Sequence, residues 1–123
     1  MTKFFKTLAA ALIALFAVVS LSSCSGAKAI DMSQVAAVID VRTAGEYATG
    51  HLEGALNIDI QGSDLATQMD ALDHSANFVI YCRSGNRAGQ AVSYMQDHGF
   101  TGTLTNAGGV DDASSATGLP IVQ

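Results

Sequence analysis

The sequence predicts an α/β fold: one compact domain with a four- to five-stranded, mostly parallel sheet flanked by helices. Three observations predict it. Short β-favouring runs alternate with helical patterns from about residue 38 onward, the signature of βαβ units around a parallel sheet. One run, Phe78-Val79-Ile80-Tyr81, carries no charge, as a strand buried on both faces requires. The chain has 123 residues, room for one domain, and part of its N-terminus does not read as domain at all.

Taken in order, Val38-Ile39-Asp40-Val41 reads as the first strand. Thr43 and Glu46 then have capping-box spacing, so a short helix begins there. Ala55-Leu56-Asn57-Ile58 is a second strand candidate. Ser63 can cap a helix whose apolar residues Leu65, Met69 and Leu72 share one face. After Phe78–Tyr81 the stretch from Arg87 to His98 is helical, with Ala88, Ala91, Val92 and Met95 inward and Gly99 as its stop. Thr103-Leu104 begins a last strand, which Gly108-Gly109 ends. Asp112 to Thr117 is a Ser/Ala-rich patch with no assigned element.

The first 23 residues read as an export signal. Lys3 and Lys6 supply a positive start, and Leu8 to Leu21 form an uncharged run of 14 residues. A membrane-spanning helix needs roughly 20, so a signal peptide is the better reading. Leu21-Ser22-Ser23-Cys24 resembles the lipobox of bacterial lipoproteins. That resemblance implies lipidation at Cys24 and a protein on the periplasmic face of a membrane, with Ser25 favouring the outer membrane. The alternative is cleavage after Ala27-Lys28-Ala29, which releases a soluble periplasmic protein. Residues 24–30 read as a tether and 31–123 as the domain.

Beyond Cys24 there are eleven acidic residues against Lys28, Arg42, Arg83 and Arg87, a net charge of −7. Such a balance argues against nucleic acid, and against any membrane contact other than a lipid anchor. Two of the four cations lie within five positions of Cys82, which is the only thiol left if Cys24 is lipidated. The three His and two Cys have no metal-ligand spacing, so neither a metal nor any other cofactor is expected. A single domain on a short tether suggests a monomer.

The chemistry is placed where the best strand meets the best helix: Tyr81-Cys82-Arg83-Ser84-Gly85-Asn86-Arg87. In open α/β sheets ligands bind beyond the carboxyl ends of strands, where the next helix points N–H donors outward. A Cys there has its thiolate stabilised by the helix dipole, by loop N–H groups and by nearby Arg. Gly85 lets the loop curl so that successive N–H groups converge on an anion.

Cys82-Arg83-Ser84-Gly85-Asn86-Arg87 resembles the active-site loop of the rhodanese family, Cys-x-x-Gly-x-Arg. Asp40-Val41-Arg42, Glu46-Tyr47, Gly50-His51-Leu52 and Gly54-Ala55-x-Asn57-Ile58 resemble that family's N-terminal signature, and Gly108-Gly109 with Gly118-Leu119-Pro120 its closing segment. Many members carry a Trp after the Gly-Gly pair; this chain has none, which leaves the packing of Val110 to Thr117 open. The resemblance implies a rhodanese-like fold and a thiosulfate sulfurtransferase with Cys82 as nucleophile. Sulfur would move as a Cys82 persulfide from a small anionic donor such as thiosulfate to a thiol or cyanide acceptor. Arg83 and Arg87 are the candidates for the donor's sulfonate end, with the Ser84, Gly85 and Asn86 loop around the sulfur; the alternatives are a carboxylate pair at the helix start for Arg87 and a solvated surface position for Arg83.

Asp40 and Arg42 read as a bracing ion pair and His51 as part of a packing signature rather than as a base. His74 and His98 fall at helix ends, capping or solvated. Two other functions stay open: a non-catalytic module that binds sulfur or a partner, and an arsenate reductase or phosphatase. The second needs five residues between Cys and Arg for its wider oxyanion, and here there are four.

Overall fold

The computed structural model describes residues 28 to 123; the expected signal peptide, lipobox and Cys24 lie outside the described residues. After a 3-10 turn at Met32–Gln34 come β1 (Ala37–Asp40), α1 (Ala44–Thr49), β2 (His51–Leu52), β3 (Leu56–Asn57), α2 (Leu65–Asp70) and β4 (Phe78–Tyr81). They are followed by α3 (Asn86–Asp97), β5 (Leu104–Asn106), α4 (Val110–Thr117) and β6 (Ile121–Val122). The main sheet has four strands in the order β3-β1-β4-β5, all parallel, and β2 pairs antiparallel with β6 in a separate two-stranded ribbon. This is the α/β fold that the sequence predicts, a four-stranded parallel sheet flanked by helices.

The alternation of side chains along the two central strands builds two cores. Ile39 and Val41, with Phe78, Ile80 and Cys82, face α2 and α3, where Met69, Ala88, Ala91 and Met95 are fully buried against them. Val38, Val79 and Tyr81 face the other way, onto Leu52, Ala55 and Ala113, with Tyr47 and Val110 packed at the margin. Every residue of β4 is buried, so its all-apolar run is explained by helices on both faces. Ile30 packs against the second core, and its N–H donates to the Ala116 carbonyl.

Local signals account for the helix starts only in part. Thr43 and Glu46 form the expected capping box on α1, each bonding the other's backbone N–H. The α2 start differs: Asp64, not Ser63, occupies the cap position, and no side chain caps the helix. Its apolar face is as expected, Met69 at the core with Leu65 and Leu72 at the edge. α3 ends at His98, followed by Gly99 at φ 87°, the left-handed turn a glycine stop requires. His98 caps through Nδ1 to the Tyr94 carbonyl, whereas His74 is half-buried and stacked on Phe100 with its Nε2 unpartnered.

The patch left unassigned is a helix. α4 carries Asp111 and Asp112 in its first turn, where they favour the positive end of the helix dipole. It buries only Ala113 and Ala116. With alanines as its apolar stripe it shows no strong period, yet small residues let it lie close on the sheet.

Asp40 and Arg42 form a buried ion pair at the carboxyl end of β1, 0% and 5% exposed. The guanidinium grips the carboxylate from Nε (3.0 and 3.1 Å) and Nη2 (2.7 Å), and Nη2 also donates to the Gly50 carbonyl at 2.7 Å. The pair thereby ties β1 to the end of α1. Removing one partner strands a buried charge, which costs about 3–5 kcal/mol. Arg42→Ala is therefore expected to lower unfolding stability by that amount in urea titration, against less than about 0.5 kcal/mol for the exposed Arg83→Ala.

Candidate active site

Cys82 follows β4 directly, and α3 begins four residues later at Asn86. The intervening turn passes through Gly85 at φ 95°, a left-handed conformation that only glycine adopts without strain. This kink folds the chain back over the sulfur: the Gly85 N–H donates to Cys82 Sγ at 2.9 Å. Cys82 itself is 0% exposed, so its sulfur forms the floor of the loop rather than its rim.

Burial is the largest single influence on the thiol and would raise its pKa. The N–H groups of Ala88, Ser84, Gly85 and Arg87 together outweigh it and hold the pKa below the ordinary cysteine value. An activated sulfur results without a general base, because the charge is stabilised by oriented backbone dipoles.

The six residues of the loop are not equivalent. Arg83 is exposed at the mouth and makes no hydrogen bond or ion pair within the described residues; Ser84 and Asn86 are exposed beside it. Arg87 is placed differently from the sulfonate-binding role expected of it. Its Nη1 and Nη2 both lie on the Glu46 carboxylate, at 2.8 and 2.9 Å, a bidentate pair that pins the first turn of α3 to α1. Its charge still lies near Cys82, but its forked face is taken. Chiefly through Arg87, Glu46 is held at a pKa of about 2. The same carboxylate closes the capping box on Thr43, so one side chain serves both helix starts.

His51 lies on β2, stacked on Tyr47 at 3.6 Å between ring centroids, with Nδ1 on the Tyr47 carbonyl at 2.9 Å. Asp40 and Arg42 face each other and Gly50, with the guanidinium 5.9 Å from the Tyr81 ring centroid. The loop and its Glu46 brace are thus assembled together, while Asp40, Arg42 and His51 support the sheet end beneath. Among the described residues no group of His, Cys, Asp or Glu is arranged to hold a metal ion.

The segment after β5 is the part of the site that sequence reasoning missed. The Cys82 N–H donates to the Gly108 carbonyl at 3.0 Å, and a Cβ on Gly109 would sit 2.5 Å from the Arg83 carbonyl oxygen. Gly109 of the Gly-Gly pair, read from sequence as a signature, is there because the Cys82 loop leaves no room for a side chain, whereas Gly108 has φ 80° and a Cβ on it would press on Asp112 at 3.2 Å. Asn106 Nδ2 donates to the Gly85 carbonyl at 2.9 Å, and its Oδ1 accepts from the Gly108 N–H at 3.0 Å. An Asn two residues before a Gly is a legible turn signal; the bond reaching back 21 residues is not.

The Rhodanese-like domain model matches residues 25–116. A sulfurtransferase of Allochromatium vinosum is 35% identical over 85 residues, covering 69% of this chain and 77% of that protein. A thiosulfate sulfurtransferase of Escherichia coli is 32% identical over 74 residues, 60% of this chain and 70% of that one. A tRNA uridine(34) hydroxylase of Pectobacterium carotovorum is 34% identical over 90 residues, but the match spans 25% of that protein. Among solved structures, a rhodanese from E. coli with anions superposes with a TM-score of 0.57 at 31% identity, over 71% of this chain and 96% of that one. A rhodanese-like domain from Anabaena does so with 0.61 at 28%, over 71% and 98%.

The Glu46–Arg87 pair has a pH signature. Because folding depresses the Glu46 pKa from 4.5 to about 2, its stabilisation is complete above 4.5 and is lost as pH falls towards 2. Glu46→Gln is expected to unfold at lower urea than wild type at pH 7. The gap between the two midpoints should close between pH 4.5 and 2, and a gap independent of pH would contradict the assignment.

Proposed function

This chain belongs to the rhodanese family, and from that membership we propose that it is a sulfurtransferase that carries sulfane sulfur as a persulfide on Cys82. One observation supports the reading most directly: a buried sulfur that accepts the Gly85 N–H at 2.9 Å at the start of a helix, with backbone N–H groups holding its pKa below the ordinary thiol value. The family supplies sulfurtransferase chemistry; thiosulfate as donor is our finer inference, drawn from Arg83 and from the E. coli thiosulfate sulfurtransferase among the relatives.

In the first half-reaction the Cys82 thiolate attacks the outer sulfur of thiosulfate. A new S–S bond forms to Cys82, the donor's S–S bond breaks, and its electron pair leaves on sulfite. Cys82 is left as a persulfide anion, whose terminal sulfur the loop N–H groups of Ser84, Gly85 and Arg87 would hold. In the second half-reaction a thiolate or cyanide attacks that terminal sulfur, and the electron pair of the breaking bond returns to the Cys82 thiolate. Arg83, free and exposed at the mouth, would bind the donor's sulfonate; Arg87, committed to Glu46, would hold the loop's shape.

The test is thiosulfate-to-cyanide transfer by wild type, Cys82→Ser and Arg83→Ala. Thiocyanate formation is expected to vanish in Cys82→Ser, with mass spectrometry finding one added sulfur on wild-type Cys82 only. Arg83→Ala is expected to raise the thiosulfate KM about tenfold, as for loss of a charged hydrogen bond, with kcat nearly unchanged. Turnover by Cys82→Ser, or no sulfur on Cys82, would sink the proposal.

We also propose that the protein is exported and held at a membrane through a lipidated Cys24, with Leu21-Ser22-Ser23-Cys24 as the supporting motif. On cell fractionation Cys24→Ala is expected to move from the membrane to the soluble fraction, and unchanged partitioning would remove the claim.

A further inference from the structure

The contacts of Asn106 extend further than a turn requires. Its side-chain amide lies across the first turn of α3, in contact range of Gly85 and Gly89. A Cβ on Gly85 would come within 3.6 Å of Oδ1 and 3.8 Å of Nδ2, and a Cβ on Gly89 within 3.6 Å of Nδ2. From this seat Nδ2 donates to the Gly85 carbonyl at 2.9 Å, an oxygen that also accepts the first helical bond of α3 from the Gly89 N–H at 2.9 Å. The opposite arm, Oδ1, accepts the Gly108 N–H at 3.0 Å, and the Gly108 carbonyl in turn accepts the Cys82 N–H at 3.0 Å.

These bonds close a ring. From Cys82 Sγ it runs to the Gly85 N–H, through Gly85 to Asn106, on to Gly108, and back to the Cys82 backbone. Gly85 has the widest conformational choice of any residue in the loop, and its N–H is the donor at 2.9 Å from the sulfur. At φ 95° Gly85 is held from within the turn by its N–H on Cys82 Sγ and by the Gly89 N–H on its carbonyl, and from outside the turn by Asn106 Nδ2 on the same carbonyl. Arg87 and Glu46 hold α3 two residues further on, and besides the Cys82 sulfur itself Asn106 is the one side chain within the described residues that bonds to Gly85.

We propose that Asn106 is a positioning residue for the reaction, clamping Gly85 so that its N–H stays aimed at the Cys82 sulfur. The inference rests on the sulfurtransferase reading for its functional meaning, but its test does not depend on sulfur transfer. Asn106 acts through Gly85 and touches neither donor nor acceptor.

The experiment follows alkylation of Cys82 by iodoacetamide against pH, in wild type and Asn106→Leu, a substitution of similar size that removes both arms. Only the thiolate reacts. At pH 7 the variant is expected to alkylate about tenfold more slowly, the loss that goes with one pKa unit, and to return to within twofold of wild type at high pH. Its thiosulfate KM should stay within twofold while kcat falls along the same pH profile. Slow alkylation at every pH, or an unchanged profile, overturns the positioning role.

Should the variant fail to fold, the wild-type protein supplies the answer by nuclear magnetic resonance. The Asn106 side-chain amide protons are expected to titrate with the same midpoint as Cys82 alkylation, and insensitivity to that ionisation overturns the proposal. If wild type transfers no sulfur but the alkylation profiles differ as stated, the function falls and the clamp stands. If wild type transfers sulfur and the profiles coincide, the clamp falls alone.

Discussion

A sulfur without solvent contact must be stabilised as an anion by the protein alone, and the architecture around Cys82 answers that demand with backbone N–H groups. Backbone donors suit the task because their directions are fixed by the chain path, with no side-chain entropy to lose when they converge. The strand-to-helix turn brings the Gly85 N–H to 2.9 Å from the sulfur, and the N–H groups of Ser84, Arg87 and Ala88 in the same turn also favour the anion. Each depends on the turn's shape, so whatever holds that shape contributes to the chemistry without touching a substrate.

The supports come from three directions. Glu46 reaches from α1 to Arg87 and fixes the start of α3. The segment after β5 approaches from the other side, close enough that Gly109 must lack a side chain. Beneath, the buried Asp40–Arg42 pair fixes the end of β1, and Asn57 Nδ2 donates to the carbonyls of both, at 3.1 and 2.9 Å. Pairing explains why both ions tolerate burial: each lone pair or proton that faces inward has a partner. The three arginines of an acidic domain are thus divided, two spent on architecture and one, Arg83, left facing solvent at the mouth of the loop.

What could be read from the sequence was whatever is local. The strand at Phe78–Tyr81, the capping box at Thr43, the inward face of α3 and the Cys-loop-Arg spacing are all patterns within a dozen residues. α4 escaped because Ala113 and Ala116 give a weak apolar stripe, and β2 with β6 because two-residue strands carry no period. Ser63 looked like a cap but the chain enters α2 one residue later. Arg87 was legible as a site residue but not its partner, since the 41 positions between Glu46 and Arg87 are bridged only by the fold. Asn106 is the same case: its near arm is a turn motif, its far arm a tertiary contact.

The donors that charge the sulfur sit on a turn between a parallel strand and its helix, braced by residues about 40 positions upstream and 20 downstream. Parallel pairing of this kind closes late, because the entropy of long loops is lost before the contacts form. In an incompletely folded chain Cys82 is accordingly an ordinary thiol, mostly protonated at neutral pH. Acidity arrives only once the turn and its distant braces are docked, so the thiol's reactivity is itself a marker of that folding, and a chain still finding its sheet is chemically quiet.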